Sequence, residues 1–124
     1  MKRDMDLIRD ILFYIEKEHD GDEPLLLDFD KFPEEKPEDV FGHVEILIQG
    51  GFLKFHKQSF IQLPLSNGIT WEGHDFLDSV RDPEVWRKTK DAAEKAGGFT
   101  ISLLGEIAKG LVKTKIEKHT GVEL

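Results

Sequence analysis

The stretch Phe52–Leu63, FLKFHKQSFIQL, decides how the rest of the chain is read. Phe52–Phe55 and Phe60–Leu63 are short apolar runs, each interrupted by one polar residue (Lys54 and Gln62), and the break between them, His56-Lys57-Gln58-Ser59, is short and polar. Two such runs across such a break predict a β-hairpin. On its N-terminal side, Gly50-Gly51 sits where a glycine stops a helix. That helix starts at Pro37, followed by Glu38 and Asp39 at its positive end, and carries Val40, Phe41, Val44, Leu47 and Ile48 on its apolar face. On the C-terminal side, Asn67-Gly68 is a turn. Thr70 then caps a third helix through Arg81, buried along Trp71, Phe76, Leu77 and Val80.

Further outward, Leu7, Ile8, Ile11, Leu12 and Ile15 recur at helical spacing and predict a first helix from about Asp4 to His19. Asp4 is its expected N-cap. Pro24–Phe29, PLLLDF, predicts a short strand, and the charged, proline-flanked residues 31–36 leave little helix. Past the third helix, Asp82-Pro83-Glu84 opens a fourth by the cap-then-proline rule, with Val85, Trp86, Ala92, Ala93 and Ala96 along it and Gly97-Gly98 at its end. Thr100 opens a fifth. Helix, short strand, helix, hairpin, helix is the order of a winged helix. The expected class is α+β and mainly helical, with a winged-helix-like domain over 1–82. Residues 83–124 form a helical C-terminal extension, packed on that domain or used for self-association.

The 124 residues carry 17 basic and 25 acidic side chains, a net charge of −8, and no cysteine. Disulfide scaffolds, thiolate zinc sites and cysteine nucleophiles are therefore excluded. Nine Phe and two Trp argue for a packed chain in spite of a charged fraction of 34%. Lys2 and Arg3 precede carboxylates at Asp4 and Asp6 that interrupt any signal-peptide apolar region, and no apolar run approaches the roughly 20 residues that cross a bilayer. A cytoplasmic location is expected.

The start Lys2–Arg9, the segment His43–Leu53 (HVEILIQGGFL) and above all Ile69–Asp82 (ITWEGHDFLDSVRD), continued by Trp86 and Lys88-Thr89-Lys90, are distinctive. Over most of residues 1–90 the chain resembles an uncharacterised family of short bacterial, phage and prophage proteins, domain of unknown function 2513. The resemblance implies a winged-helix-like fold and a phage-linked setting, and supplies no catalytic residues. One departure stands out: the residues before Pro37 leave little room for the scaffold helix that normally precedes a recognition helix.

Duplex DNA binding needs Lys or Arg against phosphates. The helix from Pro37 to Gln49 has none, and the hairpin offers only Lys54, His56 and Lys57. Residues 1–83 hold 9 basic and 19 acidic side chains, whereas 84–124 hold 8 and 6. An acidic reading head repels phosphate, so a winged-helix transcriptional regulator is the alternative and not the first reading. His74 stands four residues before Asp78, but a metal site needs three or four ligands, and His43 with Glu45 has poor helical spacing. Asp20, Asp22, Asp28 and Asp30 lack calcium-loop order, and no serine lies in a nucleophile elbow. No catalytic, metal or cofactor site is expected, and Trp71, Phe76, Leu77 and Trp86 read as packing residues.

The fifth helix is the most informative feature. It is rich in Ile101, Leu104, Ile107, Ala108, Leu111 and Val112, and also carries Leu103 and Ile116, with Ser102, Glu106, Lys109 and Lys113 as a narrow polar stripe. A small domain covers one face of such a helix and leaves another apolar. Those six apolar residues are therefore the expected self-association face of a homodimer or larger assembly. The acidic remainder of the chain opposes a membrane role for them. The sequence supports a non-catalytic interaction or regulatory module acting on an unknown protein partner.

Overall fold

A computed structural model describes residues 1–21, 23–54, 66–98 and 100–124, with the backbone alone for Leu65. Among these residues there are five helices and very little strand. In chain order they are α1 (Met5–Glu18), β1 (Leu25–Leu26), a 3-10 turn (Phe29–Lys31), α2 (Pro37–Gln49), β2 (Leu65–Ser66), α3 (Trp71–Ser79), α4 (Pro83–Lys95) and α5 (Ile101–Thr120). The chain divides into two compact units, 1–75 and 76–124, at a point inside α3. The sequence places its boundary later, after residue 82.

In the first unit, α1 begins where its chemistry requires. Asp4 lies outside the helix and its carboxylate accepts from the N–H groups of Asp6 and Leu7 at 3.0 and 3.2 Å. Leu7, Ile8, Ile11, Leu12 and Ile15 are all buried, and α1 packs against α2, which contributes Val40, Val44 and Leu47. His43 is buried in the same face. Its ring accepts the Asp4 N–H at Nε2 (2.9 Å) and donates from Nδ1 to the Asp39 carbonyl (2.7 Å). A donor on one side and an acceptor on the other require the tautomer with its proton on Nδ1. The imidazole thereby ties the start of α1 to the first turns of α2.

The expected hairpin is not what the described residues show. Residues 55–64, which hold His56, Lys57 and the second arm, lie outside them. Leu53 pairs antiparallel with Ile69, and the Lys54 N–H donates to the Gly68 carbonyl at 2.8 Å. An arm returning at Phe60–Leu63 across a four-residue turn would instead have set Leu53 near Gln62. β2 turns away to pair with β1, Leu25 opposite Ser66 and Leu26 opposite Leu65. The winged-helix arrangement is therefore not supported, and the class reduces to a mainly helical chain with a two-residue antiparallel ladder. Short apolar runs fit a pleated strand locally but do not choose the partner.

α3 is clasped to the turn that ends α2. The Thr70 N–H donates to the Phe52 carbonyl at 3.1 Å, and the Thr70 hydroxyl donates to the Gly51 carbonyl. The same hydroxyl accepts the Gly73 N–H at 3.0 Å, which caps the helix. Gly73 is buried against this turn. A Cβ there would overlap the Phe52 carbonyl oxygen and stand 2.6 Å from Ile69 Cγ2. Gly51, with φ +81°, supplies the left-handed residue that lets the turn reach α3.

The second unit is built on α4 packed against α5, with Phe76, Leu77, Val80, Val85, Trp86, Ala93, Leu104 and Ala108 buried. Asp82 caps α4 by accepting the Val85 N–H at 2.9 Å, and Thr100 caps α5 by accepting the Leu103 N–H at 3.1 Å. Both starts, and the ends at Gly50 and Gly97, stand where the sequence puts them.

Replacing Gly73 by Ala forces backbone to move, so Gly73→Ala should cost about 1–3 kcal/mol or more in denaturant unfolding. Gly98 has open space around its Cα. Gly98→Ala should stay within about 0.5 kcal/mol of the unsubstituted chain.

Candidate interaction surface

α5 carries a surface that changes along its length. Leu104 and Ala108 are fully buried and Gly105 lies 3.8 Å from the Phe76 ring, measured from an ideal Cβ. Ile101, Ile107, Leu111 and Val112 are half-buried. The six residues expected to face a second copy thus split: Leu104 and Ala108 are consumed by the chain's own core, and four retain exposed surface. Leu103, absent from that set, is 42% exposed and Ile116 is 44% exposed. Leu103, Ile107, Gly110 and Thr114 follow at spacings of 4, 3 and 4 and form an uncharged stripe. Nothing lies within 4 Å of a Cβ built on Gly110.

Beyond Val112 the helix is mostly exposed. Lys115 Nζ stands 3.6 Å from Asp82 Oδ1, at the start of α4. All but Glu117 of residues 113–124 are exposed. Gly121, at φ +72°, ends the helix in the left-handed conformation.

Between the start of α4 and the end of α5 lies a groove of about 250 Å³, lined chiefly by Asp82, Glu84, Lys88, Leu111, Lys115 and His119. Two of its three lysines are paired, Lys88 with Glu84 at 3.1 Å and Lys115 with Asp82 at 3.6 Å, and Lys118 adds a third cation. The Val85 N–H and then Lys115 hold the Asp82 carboxyl below its ordinary 3.8. The Lys88 ammonium does the same to Glu84, below its ordinary 4.5.

In the first unit the exposed side of α3 begins with Trp71, 79% exposed. The sequence places it in the core with Phe76, Leu77 and Val80, and the structure corrects this. Gly73, Phe76, Leu77 and Val80 share one helical face, whereas Trp71 precedes Phe76 by five residues and points the other way. Once Gly73 is pressed on the Phe52 carbonyl, the indole must face outward. Glu72, His74 and Asp75 are exposed beside it. Trp86 is buried as expected, with Lys90 Nζ 5.7 Å from its ring centroid.

The other candidate residues are quickly placed. His74 is exposed, and Asp78, one turn on, binds Arg81 at 2.7 Å. Among the described residues no group of three or more His, Asp or Glu is placed to hold a metal ion. Lys54 is exposed, with its backbone in the Gly68 ladder, and His56 and Lys57 lie outside the described residues. A second hollow, about 340 Å³, is lined by Phe13, Tyr14, Lys17, Lys31, Phe32 and Glu35 among others. Tyr14 and Phe32 meet edge to face in it, 5.5 Å apart, and the Tyr14 hydroxyl accepts the Asp28 N–H. Among the described residues no helix is long and apolar enough to cross a membrane.

The sequence signature of the family described as "Hypothetical protein (DUF2513)" matches residues 2–99. The chain belongs to this family. A protein of Haemophilus influenzae (strain ATCC 51907 / DSM 11121 / KW20 / Rd), described as "Uncharacterized protein", is 29% identical over 116 residues, spanning 90% of this chain and 96% of the relative. No solved structure matches the chain significantly. The family match ends just before α5, so the helix with the most exposed apolar surface lies outside it.

The expectations from sequence miss two residues. His43 is a polar residue on an apolar helix face, and both of its ring nitrogens bond backbone groups, which carry no side-chain signal. Trp71 was legible from the five-residue offset to Phe76.

Trp71→Ala should leave unfolding within about 0.5 kcal/mol of the unsubstituted chain. Phe76→Ala, deleting a ring that is 5% exposed, should cost about 3–5 kcal/mol. The two lowered carboxyls give a pH dependence of defined sign. Their folded values lie below the unfolded ones, so their contribution is present above pH 4.5 and is lost as pH falls through the range below 4.5 and 3.8. Thermal melts should show this acid-side loss reduced in Asp82→Asn/Glu84→Gln.

Proposed function

We propose that this chain is a non-catalytic interaction module that works as a homodimer or larger assembly built through α5. The observation that carries this reading is the uncharged stripe Leu103, Ile107, Gly110 and Thr114, open along a helix whose opposite side is already buried. Leu103 and Ile107 offer apolar area, and Gly110 removes the side chain that would hold a second backbone away. A two-fold contact lets one stripe meet its own copy, the commonest oligomer geometry. The reading includes a further protein partner, a regulatory role and a phage or prophage setting in the cytoplasm, which the resemblance over Ile69–Asp82 supports. The DNA-binding alternative gains nothing from the structure, since Lys54 is the one of its three residues that is described and the flanking unit is acidic.

The test is the mass of the full chain in solution. Light scattering at micromolar concentration should give at least twice 14.2 kDa. Leu103→Lys/Ile107→Lys should give a folded monomer, because both side chains retain exposed surface. A monomeric unsubstituted chain overturns the reading. Point substitution is the better probe here than removal of α5, which would uncover the core around Leu104 and Ala108.

A further inference from the structure

Two exposed surfaces stand apart from the packing described above. The first is the start of α3, where Trp71 is 79% exposed with Glu72, His74 and Asp75 around it. Packing accounts for the rest of this turn: Thr70 caps it, Gly73 docks it and Phe76 fills the core. An indole this exposed leaves a large apolar surface in water and presents a π face that attracts cations. The second surface is on α5. Lys109, Lys113, Ile116 and Thr120 follow at spacings of 4, 3 and 4 and are all exposed. This stripe lies on a different side of the helix from Leu103, Ile107, Gly110 and Thr114. Glu106 approaches Lys109 only to 3.7 Å, across an exposed surface.

The two surfaces complement each other in charge and shape of chemistry. One is an aromatic plate rimmed by carboxylates, in a stretch of chain (residues 1–83) with 9 basic and 19 acidic side chains. The other is an aliphatic residue flanked by ammonium groups, in a stretch (84–124) with 8 basic and 6 acidic. We propose that Trp71 receives the Lys109–Lys113–Ile116 stripe of a second copy of this chain. Ile116 covers the body of the indole, Lys113 lies over its face, and Glu72 and Asp75 face the lysines across the rim. This rests on the proposed self-association and names its counter-surface. In a two-fold dimer the contact occurs twice, once for each Trp71.

Sedimentation equilibrium of the full chain tests this, with Trp71→Ala, Asp75→Lys, Lys113→Glu and the pair Asp75→Lys/Lys113→Glu. Each single substitution should raise the dimer dissociation constant about tenfold or more, as loss of an interface anchor does. The charge-exchanged pair should recover most of that loss. Trp71 emission should shift to the blue as concentration rises through the dissociation constant, against the constant background of buried Trp86. A dimer that Trp71→Ala leaves unchanged, while Leu103→Lys/Ile107→Lys abolishes it, overturns this contact and leaves self-association standing. A paired variant no better than its single parents overturns the assignment of the lysine stripe. An unsubstituted chain that stays monomeric to about 100-fold above micromolar concentration, far beyond ordinary dimer affinities, overturns both.

Discussion

The contact of Gly73 with the Phe52 carbonyl constrains more of the first unit than any other. Thr70 binds the same turn through its N–H and its hydroxyl, so three groups fix the start of α3 to the end of α2. With that junction set, Leu53 must lie beside Ile69, and the chain before Ile69 is delivered to β1. The absence of a single methyl group at position 73 thus decides the strand partners. It also decides the direction of Trp71, which lies across the helix from Gly73 and is turned to solvent by the same contact.

His43 performs the corresponding task from the middle of α2. A buried polar ring costs free energy unless both nitrogens are used. Here both are, one on the backbone that starts α1 and one on the backbone a turn earlier in α2. α1 and α2 are therefore held by directional bonds at one end, in addition to the burial of Ile8, Ile11, Val44 and Leu47. The described acidic side chains of this unit are exposed, apart from the half-buried Glu35 and Asp39. Its surface has the charge to repel phosphate and the exposed indole to attract a cationic or apolar partner.

The second unit divides its longest helix between two uses. The first half of α5 is fastened by Leu104, Gly105 and Ala108, and the second half lies by the start of α4 with its lysines exposed. Burying one side of a helix leaves its flanks at the mercy of whatever else is present. Leu103 and Ile107 on one flank, and Ile116 on the other, are the residues through which a second copy acts in the proposed function. Cation pairing along α4 and α5 at Glu84–Lys88, Arg87–Asp91 and Glu106–Lys109 keeps the rest of this surface balanced.

Local sequence chemistry is enough to place the five helices and most of their ends, although α3 stops at Ser79, two residues short of the expected Arg81. Caps at Asp4, Thr70, Asp82 and Thr100, prolines at 37 and 83, and glycines at 50 and 97 act within one turn of chain, so local chemistry suffices to place them. The apolar periodicity of α1 determined which of its sides is buried, for the same reason. Strand pairing was not legible: the apolar run Phe52–Phe55 suggests an extended segment, whereas its partner is chosen by contacts made some 15 residues away at Ile69. Nor could composition separate Leu104 and Ala108, which the core consumes, from Leu103 and Ile107, which stay at the surface. Those residues are chemically alike and adjacent on one helix. Only the position of a packed neighbour, fixed by the whole fold, distinguishes a core residue from a docking residue.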